Sequence, residues 1–290
     1  MKPAPFDYLR PDTLTDALDA LATTADAKVL AGGQSLVPLL SMRLAAPAML
    51  VDINGLGAEL DYVRGDDNGV AVGALARHAA VERHLRAREV QPLLSQALRL
   101  VAHATIRNRG TTVGSLAHAD AAAEMPAVLC LLDGVVTAAS VRGTRQIAAA
   151  DLYVGPLETA LAHDEILTEA WFPALPVGGG TAFDEVSRRA GDYALAGVGA
   201  VVLTAAGRVS AVRVGCISLA DTPLVLDLSE AFADGRVDEE SLARAGALVE
   251  AQVQPEADIH ASADYRRHLA GVLTRRVVRH AHAAVRQPVP

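Results

Sequence analysis

Near its start the chain reads Thr13-Leu14-Thr15-Asp16-Ala17-Leu18-Asp19-Ala20-Leu21, with Leu14, Leu18 and Leu21 on one helical face. Thr13 or Thr15 can accept from the first free amides, so a helix is expected to begin there. Three apolar runs too short for helices follow, at residues 28–31, 50–53 and 69–73. They read as strands, and the first third alternates helix and strand with short links. Helical periodicity returns over residues 81–104 through Leu85, Leu93, Leu94, Ala97, Leu98 and Val101, with Pro92 suited to a helix start. Residues 135–137 and 165–172 are again strand-like. Pro173, Pro176 and Gly178-Gly179-Gly180 make the clearest break, and a domain boundary is expected there. Beyond it, residues 194–204 and 209–217 read as paired strands around Ala205-Ala206-Gly207-Arg208. Charged, helix-prone sequence runs from Glu239 onward, with Pro288 and Pro290 marking a frayed tail.

Composition narrows the function. The 290 residues carry 26 Lys plus Arg against 34 Asp plus Glu, a formal net charge of -8. The basic excess that a grip on nucleic acid needs is missing, and helical spacing puts some of Arg266, Arg267, Arg275, Arg276 and Arg279 on a solvated face. Hydrophobic residues at 51% exclude disorder over most of the length, and 3% aromatics leave the core to Ala, Val and Leu. Two cysteines, Cys130 and Cys216, cannot build a disulfide framework, a four-cysteine zinc site or an all-cysteine iron–sulfur cluster. Both read as buried free thiols. The nine histidines show no zinc-protease spacing, so no metal site is expected. MKPAPFDYLRP has no secretory apolar region, and no apolar run reaches the ~18 residues of a membrane span. A cytoplasmic location is the expectation.

Candidate chemistry lies in two glycine turns. Leu30-Ala31-Gly32-Gly33-Gln34-Ser35-Leu36 directly follows a strand. Its glycines let backbone approach a ligand, and its amides, the Ser35 hydroxyl and the Gln34 amide can hold a phosphate. It is neither the Rossmann nor the Walker pattern, and alone it could be an ordinary strand-to-helix turn. A second small-residue turn, Arg109-Gly110-Thr111-Thr112-Val113-Gly114-Ser115, is followed by His118, Asp120 and Glu124. Two such turns suit a ligand with two phosphates. The two carboxylates can accept from ribose hydroxyls or an amide, or work as an acid/base pair, so a dinucleotide cofactor is plausible. Neither Ser35 nor Ser115 sits in GxSxG, so no nucleophile is assigned.

The same residues carry a family resemblance. AGGQSLVPLL (residues 31–40) and TIRNRGTTVGSLAHADAAAEMP (residues 105–126) resemble the FAD-binding medium subunit of the molybdenum hydroxylases. This group includes the carbon monoxide dehydrogenase medium chain and the xanthine dehydrogenase flavin domain. SRRAGDYALAGVGA (residues 187–200) and DYRRHLAGVLTRRVV (residues 264–278) resemble its flavin-proximal segment and C-terminal helix.

The resemblance implies an α+β chain. A two-lobed FAD-binding domain of the vanillyl-alcohol oxidase (PCMH) type would span residues 1–176, with lobes of about 1–56 and 57–176. A smaller domain, 177–290, would hold a three-stranded antiparallel sheet and a helical bundle. Leu30, Ala31, Gly32, Gly33, Gln34, Ser35 and Leu36 would wrap the FAD pyrophosphate, with Thr111, Gly114 and Ser115 completing the cradle. Ile106, His118, Asp120 and Glu124 would line the second turn, Glu124 as the acidic cofactor contact. Ile166 and Leu167 would pack near the adenine end, and Arg188 and Tyr193 beside the isoalloxazine, Tyr193 partly covering one ring face.

The implied function is the flavoprotein subunit of a heteromeric molybdenum hydroxylase. A large subunit with a molybdenum–pterin cofactor and a small one with two [2Fe–2S] clusters would be its partners, in a dimer of heterotrimers. Electrons would leave through FAD to NAD+, a quinone or another acceptor. Two departures stand out: Val113 where the family usually has Gly, and Ala121 where it usually has Pro. Because a β-branched residue disfavours positive φ, Val113 motivates a second reading: a stand-alone flavoprotein, or a cofactor-poor structural or assembly relative.

Overall fold

A computed structural model describes residues 2–285. The tail prolines Pro288 and Pro290 lie outside the described residues. The chain begins with β1 (Asp7–Leu9), α1 (Leu14–Thr23), β2 (Ala27–Leu30), α2 (Leu36–Met42) and β3 (Met49–Asp52). The strands form a parallel sheet in the order β1-β3-β2, with Val29 opposite Val51. Thr13 caps α1, its hydroxyl accepting from the Asp16 amide at 3.1 Å, and Ala17, Leu18 and Leu21 turn inward. β2 and β3 run in the same direction, so the residues after Leu30 and after Asp52 emerge at one edge.

A larger antiparallel sheet follows, with a helical layer inserted into it. In chain order come α3 (Gly57–Leu60), β4 (Val63–Gly65), β5 (Gly69–Gly73), α4 (His78–Arg83), α5 (Leu85–Val90) and α6 (Pro92–Leu98). Then come α7 (Ala104–Arg107), α8 (Thr112–His118), α9 (Glu124–Leu131), β6 (Val135–Ser140), β7 (Gly143–Ala148) and α10 (Ala149–Leu152). A small hairpin, β8 (Tyr153–Gly155) with β9 (Glu158–Thr159), leads into β10 (Ile166–Pro173). The sheet order is β4-β5-β10-β6-β7.

The helical patterning over residues 81–104 is realised mainly as three short helices, the last of which starts at Pro92 as expected. His84 (ψ 111°) and Gln91 (ψ 82°) leave the helical region. Gln91 precedes Pro92, whose ring disfavours a helical residue before it. The His84 Nδ1 caps the next helix by accepting from the Ala87 amide at 3.1 Å. The apolar periodicity and the start at Pro92 were therefore legible, and the interruption at His84 was not.

β10 ends at Pro173 and β11 (Gly179–Ser187) begins the last third, with β12 (Ala194–Ala205), β13 (Arg208–Ile217) and β14 (Leu224–Asp227). The sheet is antiparallel in chain order. The three expected strands are corrected to four. Leu224-Val225-Leu226-Asp227 pairs with the edge of β13, Cys216 opposite Leu224, and four residues behind Pro223 are too few to show a strand period. α12 (Ala263–Ala283) lies across β11 and β12, and α11 (Glu239–Gln252) packs on α12. One apolar core runs from Ala17 to Phe172 and a second from Leu195 to Ala281. Between them α9 rests on β12 and β13. The Ser218 amide donates to the Ala121 carbonyl at 2.9 Å, and the Gln96 side chain to the Thr181 carbonyl at 3.1 Å.

Candidate functional site

The two glycine turns meet. A Cβ on Gly32 would stand 2.5 Å from the Arg109 carbonyl oxygen, 2.7 Å from Gly110 Cα and 3.0 Å from the Thr111 nitrogen. Only a residue without Cβ lets the two backbones approach so closely. Gly33 has φ +73°, which lets the chain reverse between β2 and α2. Among the described residues, the amides of Gly33, Gln34 and Ser35 donate to no protein acceptor. The Gln34 side chain donates to the Gly32 carbonyl at 3.1 Å. Residues 31–36 are all half-buried, so these unspent N–H groups lie in a partly accessible turn.

The second turn is held internally. Thr111 caps α8, its hydroxyl accepting from the Gly114 amide at 3.1 Å, and the Ser115 amide donates to the Thr111 carbonyl at 3.1 Å. A Cβ on Gly114 would collide with that same hydroxyl. Val113 lies in the first turn of α8 with ordinary φ, 2% exposed in the large core. The position therefore needs no glycine here. Beneath the turn, the buried His78 faces the Thr112 hydroxyl at 3.2 Å, and its amide donates to the Gly110 carbonyl at 2.9 Å. Burial pushes the His78 imidazole down to about 4, so the ring is neutral at pH 7.

A second group of polar residues sits where the large core meets the last sheet. Glu124 opens α9 and is 9% exposed; burial, with the Asp120 charge adding, pushes its carboxyl up to about 7. Glu185 on β11 is pushed up to about 8 by burial and then by Glu124 and Asp184, and its Oε2 is buried without a hydrogen-bond partner. Partial burial and the Asp120 and Glu124 charges also raise the Tyr193 phenol. Tyr193 is 69% exposed, at the end of a loop whose Gly191 lies against the His103 imidazole.

The residues singled out in the sequence thus separate into four sets. Residues 30–36 and Thr111, Gly114 and Ser115 converge on one seam, with Ile106 behind it, its carbonyl accepting from the Gly110 amide at 2.7 Å. Half-buried His118, at the end of α8, leads through Asp120 to the Glu124 and Tyr193 group. Arg188 points elsewhere, 2.9 Å from the His260 Nδ1. Ile166 and Leu167 are sealed in the core on β10.

Sequence patterning missed Asn54, Arg77 and Glu185. Asn54 could have been found, because a polar residue just past the apolar strand 49–52 stands at the same edge as the first turn. Arg77 and Glu185 carry no such signal.

Comparison with known proteins decides the family. Residues 4–175 match the FAD binding domain in molybdopterin dehydrogenase, and residues 181–281 the CO dehydrogenase flavoprotein C-terminal domain. The chain belongs to the FAD-binding medium subunits of the molybdopterin dehydrogenases. It is similar to the nicotine 6-hydroxylase medium subunit of Paenarthrobacter nicotinovorans, 41% identical over 96% of this chain and 98% of that one. It is similar also to the carbon monoxide dehydrogenase medium chain of Afipia carboxidovorans, 35% identical over 98% and 99%. The solved carbon monoxide dehydrogenase of Hydrogenophaga pseudoflava, in a form lacking the Mo-pyranopterin moiety, superposes with a TM-score of 0.91 at 31% identity, covering 99% of this chain and 100% of that one. The chain is accordingly an oxidoreductase component with an FAD-binding domain. The seam fits that cofactor: two glycine turns in near contact, and beside them unspent amides of the kind that bind a diphosphate. Among the described residues no helix is long and apolar enough to cross a membrane.

Proposed function

We propose that this chain is the electron-transfer subunit of a heteromeric molybdenum hydroxylase, taking electrons from [2Fe–2S] clusters of a small partner subunit and delivering them to NAD+, a quinone or another acceptor. A large partner with a molybdenum–pterin cofactor would oxidise the substrate, and the assembly would be a cytoplasmic dimer of heterotrimers. Two free thiols, Cys216 buried and Cys130 only half-buried where both were expected to be buried, suit a reducing compartment. With two cysteines, the chain depends on a partner for all-cysteine clusters.

The observation that carries the reading is the seam of Gly32 against Gly110, with the free amides beside it. Gly33, Gln34 and Ser35 would bind the FAD pyrophosphate, with Leu30, Ala31, Gly32 and Leu36 shaping the turn and Thr111, Gly114 and Ser115 closing the other side. Residues 1–176, as lobes of about 1–56 and 57–176, would form the FAD domain, and 177–290 the second domain. Bound FAD supplies the redox chemistry, and the protein sets its orientation and electrostatics. Glu124 would hold a proton near neutral pH beside the cofactor, and Tyr193 would screen one side of the ring from water.

The test is purification of the chain with and without co-expressed partner subunits, followed by acid release of the chromophore. FAD in equimolar amount with large and small subunits supports the reading. FAD on the chain alone, with no co-purifying partner, favours a stand-alone flavoprotein. No FAD in either preparation overturns both.

A further inference from the structure

Beneath the seam runs a chain of side-chain hydrogen bonds that joins the two glycine turns from below. The Tyr8 hydroxyl donates to Asp52 Oδ2 at 2.6 Å. Asp52 Oδ1 accepts from the Asn54 amide nitrogen at 3.0 Å and from Asn54 Nδ2 at 2.5 Å. The same Nδ2 donates to the Ala31 carbonyl at 2.8 Å, immediately before Gly32. Arg77 Nη2 donates to Asn54 Oδ1 at 2.7 Å, and its Nη1 donates to the Arg109 carbonyl at 2.6 Å, immediately before Gly110. The Arg77 backbone adds an isolated antiparallel bridge to Thr111. The Asn54 amide and the Arg77 guanidinium, 23 residues apart in sequence, thus hold the carbonyls at the root of both turns.

Arg77 has two further properties. It forms no ion pair among the described residues, its near partners being a neutral carbonyl and a neutral amide. Asp52 and Asp61 act on it only through space, and Arg109 opposes them. A guanidinium has five N–H donors, so this half-buried cation has donors left at the seam. Burial works against ionised Asp52, but the Tyr8 and Asn54 hydrogen bonds outweigh it and hold the carboxyl below its usual range. The carboxylate therefore stays charged and fixes Asn54, which in turn orients the arginine.

We propose that Asn54 and Arg77 are positioning residues that set the spacing of the two glycine turns, and that the charge of Arg77 attracts the diphosphate of the dinucleotide held between them. The charge half rests on the FAD reading above. The spacing half concerns this chain alone. Neither residue lies in a glycine turn. The diphosphate is the ligand chemistry that a cation at the root of two amide-bearing turns recognises.

The experiment uses the full chain with Asn54→Ala, Arg77→Met and Arg77→Lys. Hydrogen exchange is followed at the hydrogen-bonded amides of both turns, those of Val37, Gly110 and Thr112, with the β11–β14 sheet as a control for folding. Losing a buried bridging hydrogen bond should raise exchange about tenfold. Asn54→Ala is expected to do so at the bonded amides of Gly110 and Thr112 as well as at that of Val37, which donates to the Gly33 carbonyl, because the link is what transmits the change. Acceleration confined to Val37 overturns the spacing role. FAD affinity is then titrated on the same chains, and on the complex where partners co-purify. Arg77→Met should weaken FAD about tenfold or more, and Arg77→Lys should recover part of that loss because it keeps the charge. Equal loss in the two variants overturns the charge role. A wild-type preparation that takes up no FAD overturns the cofactor reading and the charge role with it, while the exchange result still decides the spacing role.

Discussion

Gly32 and Gly110 face one another so closely that a Cβ on the first would stand 2.7 Å from the Cα of the second. The neighbouring obstacle is the Arg109 carbonyl, which is backbone and cannot rotate aside. Gly32→Ala should therefore separate the turns, at a cost of about 1–3 kcal/mol. The expected outcome is a lower melting temperature and FAD binding weakened at least about tenfold, since the amide row would no longer face the second turn. Flavin titration and thermal melting check this together.

Val113 invites the opposite substitution. Restoring the glycine usual in the family would remove a fully buried side chain from the first turn of α8. The lost burial and the poorer helix propensity of Gly predict a destabilisation of about 2–4 kcal/mol. Urea denaturation of Val113→Gly should show it, and FAD content should not rise. A gain in FAD at unchanged stability would mean that the valine distorts the cradle.

Glu124 and Glu185 make stability depend on pH. Their carboxyls titrate near 7 and 8 in the folded chain, against 4.5 as the ordinary value. The folded state thus binds protons more tightly than the unfolded one. This contribution is complete below about pH 4.5 and is lost as pH rises through 7 to 8, so stability falls across that window. Glu185→Gln cannot ionise and should flatten the fall, with the larger gain over wild type above pH 8. It should also lower the pKa of Glu124 by removing a neighbouring charge. Melting temperatures from pH 5 to 9 decide it; parallel wild-type and variant curves would contradict it.

Thr111 spends its hydroxyl on the Gly114 amide, and Thr111→Ala removes that cap. The expected cost is about 1 kcal/mol, concentrated in faster hydrogen exchange over residues 112–115. Thr111→Ser should restore most of the protection.

Tyr193 is 69% exposed, so Tyr193→Ala should leave the melting temperature within about 1 °C of wild type. If its ring screens the flavin, the variant will change flavin fluorescence and solvent quenching. Unchanged fluorescence would remove Tyr193 from the site.

The sequence by itself determined the local elements and the chemistry of the turns. Periodicity placed α1 and the strands β2, β3, β5, β12 and β13, because side-chain burial repeats at 3.6 or 2 residues whatever the rest of the fold does. The motif residues 30–36 and 111–115 were legible for a similar reason: glycine and small hydroxyl residues in a turn state a local backbone requirement. Tertiary structure alone decided what lay at long range. Leu224-Val225-Leu226-Asp227 became a strand because the β13 edge needed a partner. Val113 sits without backbone strain because α8 starts one residue before it. Asn54, Arg77 and Glu185 entered the site only when packing brought them against Ala31, Arg109 and Glu124. A hydrogen bond across 23 residues, or a carboxylate raised by burial between two cores, depends on distances in space, and no pattern along the chain records those.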